Sequence, residues 1–388
     1  MKKKRKICFV ITDRAQYARN KLLLKLINED SELDLHVIVG GAALLSKYGD
    51  VISDMVRNGF TSYDSLYTNV EGGDNISMAK TTGLAILEFT TSLQRHRPDI
   101  ILIHGDRFEV LAAAIVAAYL NIIIGHIEGG DVSGTIDESV RHAVTKLSHI
   151  HFAANQSSMD RILKMGENPE HVHNTGSLDV EFLDHVPNIS DLSFIDRFGV
   201  GAKINFNKPF IVVFQHPVTT GENNFKNIQI TLQAINELGI SAIWFWPNSD
   251  AGTSEMAHAI RNFREENSKY KIRFVTHIPP EKFINILKRA SCIVGNSSAG
   301  IKESSYLGLP VVNIGTRQQN RLAAENVVHV GYDIEEIKKA VRIQLKHGHY
   351  PSSDIYFRED TSQRIVDILK RSNPPVQKKF FDFEHDQK

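Results

Sequence analysis

Short apolar runs alternate with segments of helical periodicity along the first half of the chain. KICFVIT, LDLHVIVGG, DIILIHGD, NIIIGHIEGG and HIHFAAN are apolar runs of strand length. Between them, residues 15–28, 75–96, 109–120 and 135–146 carry apolar positions at helical spacing. Because strands that alternate with helices form βαβ units, the pattern predicts a parallel sheet with helices on its faces.

The same alternation restarts in the second half, after a polar stretch near residues 181–207. The predicted strands are PFIVVFQHP, ISAIWFWPNSD, KIRFVTHIP, SCIVGNSS and LPVVNIGTR, and the predicted helices are 223–238, 252–267, 280–289 and one from about 299. We therefore predict an α/β fold of two Rossmann-like parallel-sheet domains, residues 1–180 and 181–370, which face a cleft. Residues 371–388 carry two prolines and many charges, which predicts a loosely held tail.

Polar residues gather where the predicted strands end, in both halves of the chain. The clusters are residues 13–14, 40–41, 104–107, 126–131, 215–216, 247–250, 296–298 and 315–317. Open α/β sheets bind ligands beyond the carboxyl ends of their strands. The simplest arrangement is a ligand in the cleft between the two domains.

Charge and composition exclude several classes of protein. Lysine plus arginine equals aspartate plus glutamate, 45 of each, so the formal net charge is +0 and no basic excess indicates a nucleic-acid binder. Cys8 and Cys292 lie in apolar runs and are predicted to be buried thiols. The first apolar run is too short for a signal peptide, and none reaches the ~20 residues of a membrane span. We expect a cytoplasmic protein without membrane contact.

The segment GNSSAGIKESSYLG is the candidate phosphate site of the second half. A buried strand leads into small residues and a helix start, where exposed N–H groups favour an anion. Ser297 and Ser298 add hydroxyl donors, Glu303 can accept from ribose hydroxyls, and Arg317 supplies a positive charge. Simple helix capping by the serines is the alternative. The chain has neither GxGxxG nor GxxxxGK[ST], so nicotinamide and ATP chemistry are not indicated.

Four carboxylates of the first half are candidates for proton transfer: Asp106, Glu128, Asp131 and Asp137. Glu128 follows the apolar run IIIGHI, so we expect desolvation to raise its pKa. Asp137 and Arg141 are spaced i, i+4 and share a helix face, where a surface ion pair is the alternative. For Asp106 the alternative is an ordinary turn residue.

A metal site built from His126, Glu128 and Asp131 is a further alternative for the same segment. Histidine and carboxylate are common metal ligands, but the chain shows no HExxH-type spacing. We therefore interpret these side chains as proton-transfer groups and expect no metal.

Six motifs together resemble the hydrolysing UDP-N-acetylglucosamine 2-epimerases of the sialic-acid pathway. They are HGDRFEVLAAA, HIEGGDVSGTIDESVRHAVTKLSH, QHPVTT, WPNSDAG, VGNSSAGIKE and NIGTRQ, and the resemblance runs from about residue 5 to 369. It implies a fold of the glycosyltransferase-B type. It also implies conversion of UDP-N-acetylglucosamine and water into N-acetylmannosamine and UDP through a 2-acetamidoglucal, with no metal or other cofactor.

The resemblance also implies the site residues and partners. The predicted catalytic residues are Asp106, Glu128, Asp137, Arg141 and His216. The predicted contacts with the UDP-sugar are Arg14, Arg107, His216, Asn248, Asp250, Ser297, Ser298, Glu303 and Arg317. Relatives self-associate, so we expect a homodimer or homotetramer, with the apolar helix surfaces near residues 75–120 as candidate interfaces.

Other readings of the same motifs remain open. The nearest is the legionaminic-acid-pathway enzyme, which acts on nucleotide-linked N,N′-diacetylbacillosamine. The non-hydrolysing 2-epimerases resemble HVEAGLRT where this chain has HIEGGDVSGT, and a glycosyltransferase would need an acceptor pocket. A non-catalytic nucleotide-sugar sensor would keep Ser297, Ser298 and Arg317 but would not need Asp106 and Glu128.

Overall fold

The first sheet has seven parallel strands with a central switch in strand order. The computed structural model describes residues 3–45, 50–221, 223–247, 250–267, 269–276 and 278–382. The strands are β1 (Arg5–Ile11), β2 (Leu33–Gly40), β3 (Tyr63–Leu66), β4 (Ile100–His104), β5 (Ile123–Ile127), β6 (Ile150–Ala153) and β7 (Val172–Asn174). Their spatial order is β3-β2-β1-β4-β5-β6-β7, and Phe9 of β1 pairs with Val37 on one side and Leu102 on the other.

The helices of this half connect the parallel strands and begin at well-formed caps. They are α1 (Arg14–Glu29), α2 (Val51–Arg57), α3 (Asn75–His96), α4 (Phe108–Tyr119), α5 (Ile136–Leu147), α6 (Gln156–Lys164) and α7 (Leu178–His185). Asp13 caps α1 by accepting from the Gln16 amide, and Thr135 caps α5 by accepting from the Asp137 amide. Both caps lie directly after polar clusters at strand ends, so they hold those clusters in place.

The second sheet repeats the plan. Its strands are β8 (Val200–Gly201), β9 (Phe210–Phe214), β10 (Ser241–Phe245), β11 (Ile272–Val275), β12 (Cys292–Gly295), β13 (Val311–Ile314) and β14 (Val327–Val330). Their order is β14-β13-β12-β9-β10-β11-β8, and β8 alone runs antiparallel. The helices are α8 (Asn224–Leu238), α9 (Thr253–Glu266), α10 (Pro280–Leu287), α11 (Lys302–Leu307), α12 (Ile334–His347) and α13 (Thr361–Arg371). No helix within the described ranges is long and apolar enough to cross a membrane.

The strand orders confirm the predicted α/β fold and show where ligands can enter. In an open parallel sheet the ligand crevice lies where the strand order reverses. The reversal falls between β1 and β4 in the first sheet and between β9 and β12 in the second. The loops after these four strands carry the predicted polar clusters at residues 13–14, 104–107, 215–216 and 296–298.

Several short elements were not predicted from the hydrophobic pattern. Strand β3 has only four residues, of which Asp64 and Ser65 are polar, because it lies at the sheet edge. Helix α7 extends into the polar stretch that was expected to separate the domains. Its Leu183 is buried in the second core, and Glu181 is buried as well.

The chain returns to the first domain at its end. Ile365 and Leu369 of α13 belong to the same buried cluster as Leu23 and Leu24 of α1. Helix α13 therefore packs in the first domain, although it lies almost wholly within residues 181–370, the range expected for the second. The apolar face of an amphipathic helix must be covered. Helix α13 covers its own by packing against the apolar residues of α1.

The expectation of a loosely held tail is wrong for the described residues beyond α13. The Nζ of Lys378 donates to the carbonyl of Lys146 at 2.8 Å, to that of Ser148 at 2.6 Å, and to the carboxylate of Glu167. The amide of Phe381 donates to Gly166 at 2.9 Å. A charged segment is expected to stay solvated only where no fixed hydrogen-bond acceptors face it. Here the first domain presents such acceptors to Lys378.

Replacing Lys378 with methionine is expected to lower the free energy of unfolding by about 1–3 kcal/mol. The loss arises because two carbonyls and one carboxylate lose a donor, and the Ser148 carbonyl and the Glu167 carboxylate are partly buried. Urea unfolding at pH 7.5 measures it. Lys379→Met is the matched control, because Lys379 is exposed and adjacent. Equal stabilities of the two variants would contradict the docking of the tail.

Candidate active site

Two adjoining cavities open where the switch points of the two sheets meet. The smaller has a volume of about 120 Å³ and is called the polar pocket; the larger has about 370 Å³ and is called the aromatic pocket. The polar pocket is lined by Asp13, Gln16, Arg19, His104, Gly105, Asp106, Arg107, Glu128, Ser133, Asp137, Arg141, Ser298, Lys302, Arg317, Gln318 and Arg321. Both domains contribute to it, so the cleft between them is the candidate site.

Asp106 lies in the loop after β4 and is paired with a buried arginine. Arg141 of α5 is 2% exposed and donates to the Asp106 carboxylate, to the Asp131 carbonyl at 2.9 Å and to Ser133 Oγ at 3.2 Å. Burial would raise the pKa of Asp106, but Arg141 outweighs it and lowers the pKa to about 2. Arg141 therefore pairs with Asp106, whereas the alternative weighed from the i, i+4 spacing paired it with Asp137.

Asp137 is the carboxylate of the polar pocket that can exchange a proton near neutral pH. It lies in the first turn of α5, with its carboxylate 3.7 Å from Arg317 Nη2. Burial and the nearby Asp106 carboxylate raise the pKa of Asp137 to about 6, although Arg317 opposes the shift. A pKa close to the working pH is what general acid or base catalysis requires.

Glu128 follows β5 in a strained backbone conformation. Its φ is 62°, a left-handed conformation that costs a residue other than glycine about 1 kcal/mol. Its Oε1 accepts from Ser177 Oγ at 2.6 Å, while Oε2 contacts Lys302 Nζ and lies 3.5 Å from His104 Nε2. Strain of this kind is often kept at functional sites.

The expected rise in the pKa of Glu128 is wrong. Burial acts in the expected direction, but Lys302 and His104 outweigh it and hold the pKa well below its usual range. Glu128 is therefore a permanent carboxylate. Its apolar neighbours in sequence indicated burial correctly, but they carried no information about a cation that lies far away in the chain.

Three further charged residues of the site were not predicted: Lys302 and Asp179 are buried, and Arg19 is partly exposed. Lys302 Nζ lies 3.2 Å from Asp179 Oδ2, and Arg19 Nε lies 3.2 Å from Asp179 Oδ1. The signal that could have found Lys302 is its place in VGNSSAGIKE, where it opens a helix next to Glu303. Neither Asp179 nor Arg19 stands in a recognisable motif.

The metal alternative does not match the geometry of the described residues. His126 Nε2 is 2.9 Å from the Gly105 carbonyl, and Asp131 accepts from Arg321 Nε at 2.6 Å. Both side chains are therefore engaged by other groups, and the Glu128 carboxylate contacts Lys302 instead.

The predicted phosphate turn forms, and the helix expected from about residue 299 begins as a 3₁₀ turn. Ser297 caps a 3₁₀ turn, Ser298–Gly300, and α11 follows with six residues. Gly295 has φ 130°, and a Cβ there would lie 2.4 Å from the Phe214 carbonyl, so only glycine lets β12 leave the sheet this way. The hydroxyls of Ser297 and Ser298 reach the aromatic pocket.

Glu303 and His216 also line the aromatic pocket. Both are buried, and their surroundings favour the neutral form of each side chain. Burial and Asp179 raise the pKa of Glu303 to about 6, against the effect of Arg19. Burial and Arg317 lower the pKa of His216 to about 3, so its imidazole is neutral. Glu303 Oε2 is buried and meets no hydrogen-bond partner among the described residues, which leaves it able to accept from a ligand.

The arginines predicted to contact a diphosphate lie along the boundary of the two pockets. Arg107 donates to Glu109 at 3.0 and 3.1 Å and to Asp250 at 3.2 Å. Arg317 lies 3.9 Å from Asp250, and Arg14 lines the aromatic pocket. Asp250 lines neither of these pockets. Its carboxylate forms ion pairs with Arg107 and Arg317. The remaining predicted contact, Asn248, lies outside the described residues.

The fold and the site define a two-domain α/β protein with carboxylates and arginines converging in an interdomain cleft. Residues 25–370 match the family model described as UDP-N-acetylglucosamine 2-epimerase. The Legionella pneumophila UDP-N,N'-diacetylbacillosamine 2-epimerase (hydrolyzing) is 34% identical, covering 94% of this chain and 96% of the relative. The UDP-N-acetylglucosamine 2-epimerase of Neisseria meningitidis serogroup B is 32% identical over 98% and 99%. This chain belongs to the UDP-N-acetylglucosamine 2-epimerase family.

Solved structures support the same architecture. The Methanocaldococcus jannaschii UDP-GlcNAc 2-epimerase in complex with UDP-GlcNAc and UDP has a TM-score of 0.77 at 17% identity, covering 95% of this chain and all of that chain. The Neisseria meningitidis UDP-GlcNAc 2-epimerase bound to UDP-GlcNAc has a TM-score of 0.75 at 20% identity, over 95% and 100%. The likeness confirms the predicted fold of the glycosyltransferase-B type.

Proposed function

We propose that this protein is a hydrolysing 2-epimerase that converts UDP-N-acetylglucosamine and water into N-acetylmannosamine and UDP. The observation that carries the proposal is the polar pocket, where Asp106, Glu128 and Asp137 converge beside the two arginines Arg107 and Arg317. Hydrolysis, rather than epimerisation of a retained UDP-sugar, is supported by the Legionella pneumophila relative, whose name includes that activity.

The first step of the proposed reaction is elimination of UDP. Asp137 takes the proton from C2 of the sugar, the electron pair of that C–H bond forms the C1–C2 double bond, and the C1–O bond breaks with its pair on UDP. Arg107 and Arg317 stabilise the charge that develops on the leaving diphosphate. Asp137 is assigned this role because its raised pKa matches proton transfer near neutral pH, whereas Asp106 and Glu128 stay ionised.

The second step is hydration of the 2-acetamidoglucal. The electron pair of the C1–C2 double bond takes a solvent-derived proton at C2, on the face opposite to the one that lost it. The oxygen of water bonds to C1 and its surplus proton passes to solvent, while Asp137 releases the proton it took in the first step; the product is N-acetylmannosamine. The permanent carboxylate of Glu128 supports positive charge at C1 in both steps, because a negative charge in a buried pocket acts on it at low dielectric.

The aromatic pocket is proposed to hold the nucleotide. Its volume of about 370 Å³ is within the usual range for small-molecule sites, and Phe214, Phe245, Trp246 and Phe283 provide apolar walls for a base. The open carboxylate oxygen of Glu303 would accept from the ribose hydroxyls. Structurally similar proteins have been solved with UDP or UDP-GlcNAc bound, which supports a nucleotide-sugar as the ligand.

The lining of the polar pocket favours UDP-N-acetylglucosamine over the diacetamido sugar. Apart from Gly105, every lining side chain is polar or charged, so hydroxyl groups at C4 and C6 find donors and acceptors. A 6-deoxy sugar would place a methyl group against charge. Nucleotide-linked N,N'-diacetylbacillosamine remains the second candidate, because the Legionella pneumophila relative is named for it at 34% identity.

The product N-acetylmannosamine would supply sialic-acid synthesis. This assignment is supported by the likeness to the Escherichia coli polysialic acid biosynthesis protein P7, which is 28% identical and covers 98% of this chain and 97% of that protein.

Incubation with UDP-N-acetylglucosamine in D₂O is expected to yield free UDP and N-acetylmannosamine that carries deuterium at C2. Deuterium enters because the proton added to C2 in the second step comes from solvent and is not the one that Asp137 removed. Proton NMR follows both products, and a reaction without protein is the control. Epimerised sugar that is still attached to UDP would contradict hydrolysis. Turnover of the diacetamido sugar alone would select the second candidate.

A further inference from the structure

A buried lysine that the proposed reaction does not use bridges the two domains. Lys302 opens α11 in the second domain, and its side chain is 6% exposed. Its Nζ donates to the Glu128 carboxylate, which follows β5 of the first domain, and to Asp179 Oδ2 at 3.2 Å. Lysine is almost never fully buried unless it is paired, so these carboxylates determine where it lies.

The Glu128 carboxylate depends on this contact. Its Oε1 is held by Ser177 Oγ at 2.6 Å, but Oε2 has, besides Lys302, only the 3.5 Å approach of His104 Nε2 among the described contacts. Its backbone is in the left-handed conformation, which a residue other than glycine keeps only where the surrounding contacts hold it. Without Lys302 the catalytic end of Glu128 would lose its shortest anchor.

A purely structural ion pair is the alternative explanation for Lys302. Buried ion pairs add little net stability, since the cost of desolvation offsets the attraction. The chain has an ion pair outside the pockets at Lys338 of α12, whose Nζ donates to the more exposed Glu237 at 2.6 Å and Glu335 at 2.7 Å. Lys338 lines neither pocket, whereas Lys302 and its partner Glu128 both line the polar pocket.

We propose that Lys302 is a positioning residue, which holds the Glu128 carboxylate in place and directed into the polar pocket. The proposal rests on the proposed function of the site. The next residue, Glu303, lines the aromatic pocket, so the first turn of α11 contributes a side chain to each pocket. The second domain thereby sets the position of a carboxylate that belongs to the first.

Lys302→Met is expected to lower kcat by about 100-fold, because a displacement of about 1 Å at a reacting group costs that much. The KM and the affinity for UDP should change less than about threefold, because the nucleotide contacts stay. The acid limb of the pH profile should move to higher pH, since burial makes an unpaired Glu128 protonate more readily. The titratable and charged groups that face Glu128 are His104, Arg19, Asp179, Tyr356 and Lys302.

Two further variants separate positioning from folding. Lys302→Arg keeps the charge and should retain kcat within about tenfold of the wild type, with an unmoved acid limb. Lys338→Met removes the matched buried lysine and should leave kcat and the pH profile unchanged. Unchanged kcat and pH profile in Lys302→Met would overturn the proposal. If Lys302→Met does not fold, an acid limb that shifts in Lys302→Gln supports it, and an unmoved one overturns it.

A crystal structure of Lys302→Met tests the proposal without any assay. The Glu128 carboxylate should leave its place beside His104, and an unchanged position would overturn the proposal. Failure of the proposed function has a different signature, because the wild-type protein would then release no UDP from either candidate sugar.

Discussion

Asp137→Asn is expected to lower kcat by about 1000-fold, the typical contribution of a positioned general base. The asparagine amide cannot accept the proton from C2. Asparagine nevertheless has nearly the size of aspartate and keeps the same place in the first turn of α5. The wild-type kcat should rise with pH through about 6 and then level off, because the carboxylate must be ionised to act as the base. Initial rates of UDP release between pH 5 and pH 9 measure both effects.

The same substitution is expected to raise the free energy of unfolding at pH 7.5 by about 1–3 kcal/mol. The folded-state pKa of Asp137 lies above its ordinary value, so the stability from its protonated form is lost as the pH rises through about 6. A neutral asparagine avoids that loss. Asp160→Asn, an exposed aspartate on α6, is the control for both measurements. Full activity of Asp137→Asn would remove Asp137 from proton transfer.

Glu128→Gln is the second substitution with a large expected effect. We expect kcat to fall by about 100- to 1000-fold, the range measured when one preorganised electrostatic group is removed. The nucleotide contacts lie in the aromatic pocket, so the affinity for UDP should change less than about threefold. Kinetics of UDP release and calorimetric titration with UDP measure the two quantities.

The stability of Glu128→Gln should fall by about 1–3 kcal/mol, because Lys302 keeps Asp179 but loses the charge of its second partner. Glu88→Gln is the matched control, since Glu88 is exposed on α3 of the same domain. Turnover of Glu128→Gln at the wild-type rate would exclude this carboxylate from the mechanism. Loss of UDP binding together with turnover would instead indicate a collapsed cleft.

The long elements of the fold follow from local patterns. The predicted helix over residues 75–96 coincides with α3, Asn75–His96, because its apolar spacing is regular and Asp74 forms a capping box at its start. The strands buried on both faces read as continuous apolar runs. By contrast, β3 was not predicted because a four-residue edge strand with polar members resembles a loop.

The three carboxylates were found from sequence because they lie close together in the chain, at the ends of β4 and β5 and the start of α5. Their partners were assigned less well. Arg141 pairs with Asp106 and not with Asp137. Lys302, the partner of Glu128, is 174 positions away from it in the chain. Sequence spacing reports which residues share one helix face, but pairing across a cleft depends on how two domains meet.

The sequence by itself determined the two parallel α/β domains, the family and most of the candidate residues, because periodicity, strand-end position and motif order are local properties. Only the tertiary structure decided the protonation states. The pKa of Glu128 was expected to be raised, but Lys302 from the other domain holds it well below its usual range. Asp137 was predicted to be catalytic without an expected pKa shift, and burial together with the nearby Asp106 raises its pKa to about 6. The pKa of a buried group depends on charges within a few ångströms, and these come from distant parts of the chain.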